Sequence, residues 1–294
     1  MFVKDILKQS IKLLKDGGIE NPQLDAEVLL SYILNKDRGH LYIFPDYVLS
    51  EDENSRYRAL IDKRLEHTPI SYLTGHKEFM SLDFKVNSNV LIPRPETELL
   101  VETVCKSRSN TPLRPSQEGN DAGSKVLDLG TGSGAIAVSL AKYNPNFSIL
   151  ATDVSMSALL IARENAVHND VINRVSFIQT DLFDGVSTNY KFDWVVSNPP
   201  YIPTGDLPSL PEEIRKYEPI LALDGGADGL DVIKRIIENA FMFLKPSGHL
   251  AIEIGYGQSD DVQRIADEIG KYSDYDVIKD YSGIPRVFCC KVKI

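Results

Sequence analysis

Two short motifs in this chain carry residue types that could do chemistry. One is Asn198-Pro199-Pro200-Tyr201, which follows the run FDWVVS, Phe192 to Ser197. That run is apolar, β-branched and aromatic, and reads as a short buried strand. The two prolines forbid further ladder hydrogen bonds and stiffen the backbone at the strand's carboxyl end. In an open α/β sheet that end is where ligands bind. Asn198 offers one carbonyl acceptor and one amide donor, and Tyr201 a flat ring. With the backbone of Pro199 and Pro200 they could cradle a planar group carrying an NH2. Taken alone, the tetrapeptide is equally well a proline-terminated turn.

The other motif is Asp128-Leu129-Gly130-Thr131-Gly132-Ser133-Gly134, ending the strand VLDLG and opening a helix near Ala135. Glycines let the backbone turn tightly and approach a ligand, and a helix N-terminus supplies free N–H groups. The spacing is GxGxG with an acid before it, not the dinucleotide pattern GxGxxG. An acid there is awkward beside a pyrophosphate but suits a cationic or amine-bearing ligand. Asp153, 23 residues after Gly130, closes the next strand and could accept hydrogen bonds from both ribose hydroxyls. Asp181 follows the third strand, placed to meet an adenine amine, with Leu182 packing on the ring. Each acid could instead cap a turn. The three in register favour S-adenosylmethionine over NAD.

The elements that must position these motifs are legible in outline. Over the first 75 residues Val3, Leu7, Ile11 and Leu14 recur at helical spacing until Gly17-Gly18. Asn21-Pro22 reads as a cap and first-turn proline for a helix carrying Leu24, Val28, Leu29, Tyr32 and Ile33, and a third helix is expected over 51–66. The expected organisation is a helical, substrate-docking domain over 1–75, a connector with a β-hairpin over 76–98, and an α/β domain over 99–294. Residues 106–124 are polar enough to form a mobile loop within it. From Lys125 strands and helices alternate, which predicts a doubly wound, mainly parallel sheet ending in an antiparallel hairpin around Gly283-Ile284-Pro285. Residues 202–220, with four prolines, are expected to form a lid or substrate-facing loop.

Composition narrows the function classes. The 294 residues carry 32 Lys and Arg against 42 Asp and Glu, a net charge of −10. Residues 91–294 account for −8 of it, a poor generic surface for phosphate backbones. Cys105, Cys289 and Cys290 give no metal spacing and suit a reducing compartment. No run reaches the roughly 18 apolar residues of a membrane span, and the N-terminus reads as an amphipathic helix, so a cytoplasmic setting is expected.

The motifs together resemble the HemK/PrmC family, the N(5)-glutamine methyltransferases of peptide chain release factors. The resemblance is carried by TPISYLTGHKEF and VLIPRPETELLVE before the glycine turn, then DLGTGSGAIAVSLA, SNPPYI, YEPILALDGGADGLDVIKRI and IEIGYGQ in family order. NPPY is shared with adenine-specific DNA methyltransferases; PRPETE (93–98) and LALDGG (221–226) are more specific. The resemblance implies a seven-stranded, Rossmann-like S-adenosylmethionine-dependent methyltransferase domain behind a small all-helical one. It implies methyl transfer to the glutamine of the Gly-Gly-Gln motif of class I release factors, releasing S-adenosylhomocysteine, with no metal and no direct nucleic-acid binding. Asn198 and Pro199 would orient the amide, with Tyr201 packing on its plane. The competing reading is a DNA adenine methyltransferase flipping its base into the same cradle. Arg94, Thr97 and Glu98 either approach the methionine end of the ligand or merely start a helix.

Overall fold

The computed structural model describes residues 1–106 and 123–293. The expected loop over 106–124 therefore lies mostly outside the described residues. Its ends do not: Lys106 closes a helix, and Ser124, almost fully buried, begins a strand. The chain divides into two compact units.

The first unit comprises residues 1–76 and 211–217. It contains helices α1 (Val3–Asp16), α2 (Pro22–Leu34), α3 (Arg38–Ile43), α4 (Glu51–Leu65) and α5 (Ile70–Thr74), with Glu212–Tyr217 as α9 in chain order. A capping box starts α4: the Ser50 hydroxyl accepts from Glu53 N–H while the Glu53 carboxylate accepts from Ser50 N–H. Its core gathers Val3, Ile6, Leu14, Leu29, Leu30, Tyr57 and Ile61. The buried stripes differ from those read in the sequence. On α1 they are Val3, Ile6, Ser10 and Leu14. On α2, Leu24 and Tyr32 are exposed, whereas Asp25 and Glu27 are buried. Pairing explains the reversal, because an acid enters a core only with a partner. Asp25 accepts from Arg64 Nε at 2.7 Å, and Glu27 from Arg38 Nη2 at 2.7 Å and from the Tyr42 hydroxyl.

Residues 202–220, expected as a lid or substrate-facing loop, include helical segments: a 3-10 helix, Thr204–Ser209, and then α9. Within the first unit α9 is anchored by Arg64 Nη1 donating to Glu213 at 3.0 Å and by the Tyr217 hydroxyl donating to Glu66 O at 2.9 Å. Those partners lie about 150 residues away in sequence, which is why a local reading sees only prolines.

The second unit holds two sheets. Strands β1 (His76–Phe79) and β2 (Leu82–Lys85) form the small one, turning at Met80 and Ser81, both with positive φ. The large sheet comprises β3 (Ser124–Leu129), β4 (Phe147–Asp153), β5 (Val175–Gln179), β6 (Phe192–Ser197), β7 (Leu244–Glu253), β8 (Tyr272–Lys279) and β9 (Pro285–Val292) in the order β5-β4-β3-β6-β7-β9-β8. All neighbours from β5 to β7 are parallel; β9 is antiparallel to both β7 and β8. This is the doubly wound, seven-stranded class expected. Helices α6 (Glu98–Lys106), α7 (Ala135–Tyr143), α8 (Met156–His168), α10 (Asp231–Ala240) and α11 (Ser259–Ile269) complete the unit. Two buried clusters carry them. In one, α6 and α7 side chains join the β3–β4 strands; in the other, α10 and α11 join β6, β7 and β9.

Strand order reverses between β3 and β6, since the chain runs outward one way from β3 through β4 to β5 and the other way from β6 to β7. Open α/β sheets bind ligands at the carboxyl ends of the strands at such a switch point. Leu129 pairs with both Thr152 and Ser197, and Ser197 pairs with Ile252. The residues that follow, Gly130, Asp153, Asn198 and Glu253, are thereby set side by side along one edge.

Candidate active site

A cavity of about 520 Å³ opens at that edge, within the range of small-molecule sites. Its wall runs from Asp181 and Leu182, past Asp153 and the Gly130–Ser133 turn, to Ser197, Asn198, Pro199 and Pro200, with Arg94 and Thr97 also facing it.

The glycine turn is held by its own backbone and by two acids. Thr131 N–H donates to Thr152 O at 2.8 Å, and Gly132 N–H to Asp153 Oδ2 at 2.8 Å. Asp153 also accepts from Ser155 N–H at 2.9 Å through Oδ1, and burial raises its pKa. A carboxylate has about four acceptor positions, so after two amides both oxygens can still accept hydroxyl donors. Gly130 and Gly132 have φ of +67° and +55°, and a Cβ on either would meet nothing within 4 Å. Empty space over a left-handed backbone is what a ligand lying directly on that backbone requires.

Asp128 lies beneath this turn and does not face the cavity. It is fully buried and accepts the Thr131 hydroxyl at 2.6 Å through Oδ2. Burial pushes its carboxyl up to about 7. It therefore supports the loop rather than meeting the ligand. Gly134 also stands back from the cavity, at the start of α7, where a Cβ would press on Ala162 at 3.0 Å. At the far end Asp181 is half exposed and accepts from Arg235 Nη2 at 2.9 Å. Leu182 adopts φ of +47°. Such a backbone is costly for a bulky residue and clusters at ligand clamps.

The NPPY end is built differently. The Ser197 hydroxyl donates to Leu129 O at 2.8 Å and joins β6 to β3 across the switch point. Asn198 Nδ2 donates to the Thr97 hydroxyl at 3.0 Å, which leaves Oδ1 as the accepting end of that side chain. Pro95 initiates the short 3-10 helix Pro95–Thr97 that delivers Thr97. The alternatives for the connector divide residue by residue. Arg94 faces the cavity and donates to buried Glu218 at 2.7 Å. Thr97 faces it and holds Asn198. Glu98 instead accepts Met80 N–H at 2.6 Å and fastens the β1–β2 turn.

Tyr201 is not part of the cavity wall. Its hydroxyl donates to Glu253 Oε1 at 3.2 Å, and that buried acceptor draws the ring away from the ligand space. Packing of Tyr201 on a substrate amide is thus not what this geometry presents. Glu253, at the end of β7 within IEIGYGQ, was not singled out by its sequence. Neither was Gln258, whose side chain donates to Tyr201 O at 3.0 Å and Gly229 O at 3.3 Å while accepting Gly255 N–H at 2.8 Å. An acid ending a buried strand beside NPPY was the available signal for Glu253; nothing local marks Gln258. Among the described residues no group of three His, Cys, Asp or Glu side chains is placed to hold a metal, and no helix is long and apolar enough to cross a membrane.

Known proteins share both the sequence and the architecture. Residues 5–75 match the PrmC N-terminal domain and residues 97–208 the methyltransferase small domain. A release factor glutamine methyltransferase of Moorella thermoacetica is 43% identical over 288 residues, covering 98% of each chain. The chain belongs to the release factor glutamine methyltransferase family. Its Koribacter versatilis relative of the same name is 38% identical over 287 residues, 98% of this chain and 97% of that one. Among solved structures, a methyltransferase from Pyrococcus furiosus superposes with a TM-score of 0.50 at 22% identity, covering 82% of this chain and 99% of that one. That likeness concerns the fold. Membership in the release factor glutamine methyltransferase family agrees with the resemblance read from PRPETE, NPPY and LALDGG.

Proposed function

We propose that this protein transfers a methyl group from S-adenosylmethionine to the side-chain amide nitrogen of the glutamine in the Gly-Gly-Gln motif of class I peptide chain release factors. The observation that carries the reading is the Asn198 amide, which lines the cavity beside the glycine turn and is held by Thr97 through its NH2.

The donor set fits the ligand. Asp153 and the Gly130–Ser133 backbone would hold its ribose and methionine portions, Leu182 and Asp181 its adenine, and Arg94 lies within reach of a carboxylate. When bound, S-adenosylmethionine supplies an electrophilic methyl on a positively charged sulfur. The acceptor is a poor nucleophile, because the amide lone pair is delocalised into its carbonyl. Asn198 Oδ1 and the Pro199 carbonyl can each accept one amide hydrogen, aiming the nitrogen and stabilising the positive charge that develops on it. Pro199 and Pro200 stiffen the backbone that carries those acceptors. The proton can leave after transfer, so the step needs no dedicated base. The acidic balance of residues 91–294 disfavours duplex DNA as the substrate, and the three free thiols suit the cytoplasm.

The test is to incubate the full chain with labelled S-adenosylmethionine and, in parallel, a class I release factor, a ribosomal protein and duplex DNA, locating the label by mass spectrometry. Label on the Gly-Gly-Gln glutamine is expected. Label on DNA alone, or on none of the three, would overturn the proposal.

A further inference from the structure

The Asn198 carboxamide can face the cavity with its oxygen or with its NH2, and only the oxygen can accept an amide hydrogen. What selects one orientation is not on Asn198 itself. The Thr97 hydroxyl that receives Asn198 Nδ2 has one proton of its own to give. Glu253 is 1% exposed; its Oε1 accepts the Tyr201 hydroxyl, while Oε2 is buried with no partner in hydrogen-bond geometry among the described residues. Ile252 is the register partner of Ser197, so Glu253 stands beside Asn198 and the Thr97 that holds it, and Thr97 favours the ionised form of that carboxylate. A carboxylate only accepts, so it draws the Thr97 proton toward itself and leaves the hydroxyl lone pair for the Asn198 NH2.

We infer that Glu253 is a positioning residue which, through Thr97, holds the Asn198 side chain with its oxygen toward the acceptor amide. This rests on the methyl-transfer reading above. The same acid fixes Tyr201, so one buried group orders both side chains of the NPPY turn. Replacing the carboxylate by a group that donates reverses the sequence of donors: Thr97 is then free to donate to Asn198 Oδ1, and the NH2 turns into the cavity. Protonation of Glu253 has the same effect. The groups facing it are the Thr97 and Tyr201 hydroxyls, the Glu96 carboxylate, which opposes its ionisation, and the Arg286 guanidinium, which favours it; burial is the strongest influence and pushes its carboxyl up to about 7.

Turnover on a class I release factor should therefore fall on the acid side of neutrality. Glu253→Gln and Thr97→Val should each lower kcat by about tenfold to a hundredfold, the size of effect expected from misplacing a reacting group. KM for S-adenosylmethionine should be held, and the acid limb lost in Glu253→Gln. Thr97→Ser should recover most of the rate. A Glu253→Gln enzyme that keeps both the wild-type kcat and the acid limb overturns the inference while leaving the methyl-transfer reading intact. Should the wild type leave the release factor unmodified, that reading fails instead. The side-chain amide resonance of Asn198 in selectively 15N-labelled protein then decides the inference separately. It should shift with pH near neutrality in the wild type, and be altered in Glu253→Gln and Thr97→Val but not in Thr97→Ser. An unaltered resonance in the first two rejects it.

Discussion

The two sides of the switch point solve the same problem with opposite materials. On the β3–β4 side the cavity wall is mainly backbone, with one carboxylate: glycines with open space above them, an amide tied to Asp153, and Asp128 below. On the β6–β7 side it is side chain: Asn198 held by Thr97, and Tyr201 held by Glu253. Backbone can be displaced only by changing the turn, so that side tolerates loss of a distant polar group. A side chain with two orientations depends on every link behind it. Recognition of a ligand shared by many enzymes suits the first construction; selection of one acceptor group suits the second.

Truncating each side separately should expose the contrast. Asn198→Ala removes the amide acceptor and should lower kcat by about a hundredfold to a thousandfold, the loss seen when one such preorganised group is deleted. S-adenosylmethionine affinity by calorimetry should stay within about threefold, since the turn opposite is untouched. Retention of near-normal turnover would break the comparison at its stronger side. Asp153→Ala should do the converse, weakening S-adenosylmethionine by about tenfold or more through lost charged hydrogen bonds, with kcat at saturation far less changed. Asp128→Asn should act on stability rather than on binding. Burial raises the Asp128 carboxyl to about 7, so its folded form holds a proton more tightly than the unfolded chain. The stability this contributes is complete below the ordinary aspartate range and lost as pH rises through about 7. The melting temperature of the wild type should thus fall between pH 5 and pH 8.5 by about a few degrees more than that of Asp128→Asn. An identical fall in both would remove Asp128 as the cause. The smallest effect is expected for Asp181→Ala. Its carboxylate is half exposed and shared with Arg235, and should matter by only about two- to fivefold in affinity.

How much could be read in advance follows the same division. The glycine turn, Asp153 and the alternation of strands and helices were legible because they are written in local spacing: GxGxG after an apolar run, and acids at successive strand ends. The inward face of NPPY was legible only in part. Asn198 and the prolines declare themselves, but Tyr201 turns toward an acid 52 residues away, and Asn198 takes its orientation from a threonine 101 residues earlier. Asp128 was read as a ligand contact because sequence shows an acid at a strand end without showing which way the side chain points. Burial of Asp25 and Glu27 on α2 was hidden for a related reason, since their arginine partners come from other helices. The anchoring of α9 by Arg64 and Glu66 was equally beyond any local pattern.

One carboxamide closes three separate segments. Gln258 takes hold of the carbonyl after NPPY, the carbonyl of Gly229 beyond LALDGG, and the amide of Gly255 beyond β7. A Cβ at Gly229 would strike Tyr201 O at 2.3 Å, so these strands of chain touch backbone to backbone. The NPPY turn, the bend at Gly229 and the end of β7 accordingly depend on one side chain, and the methyl-accepting geometry proposed above should open as a unit with it.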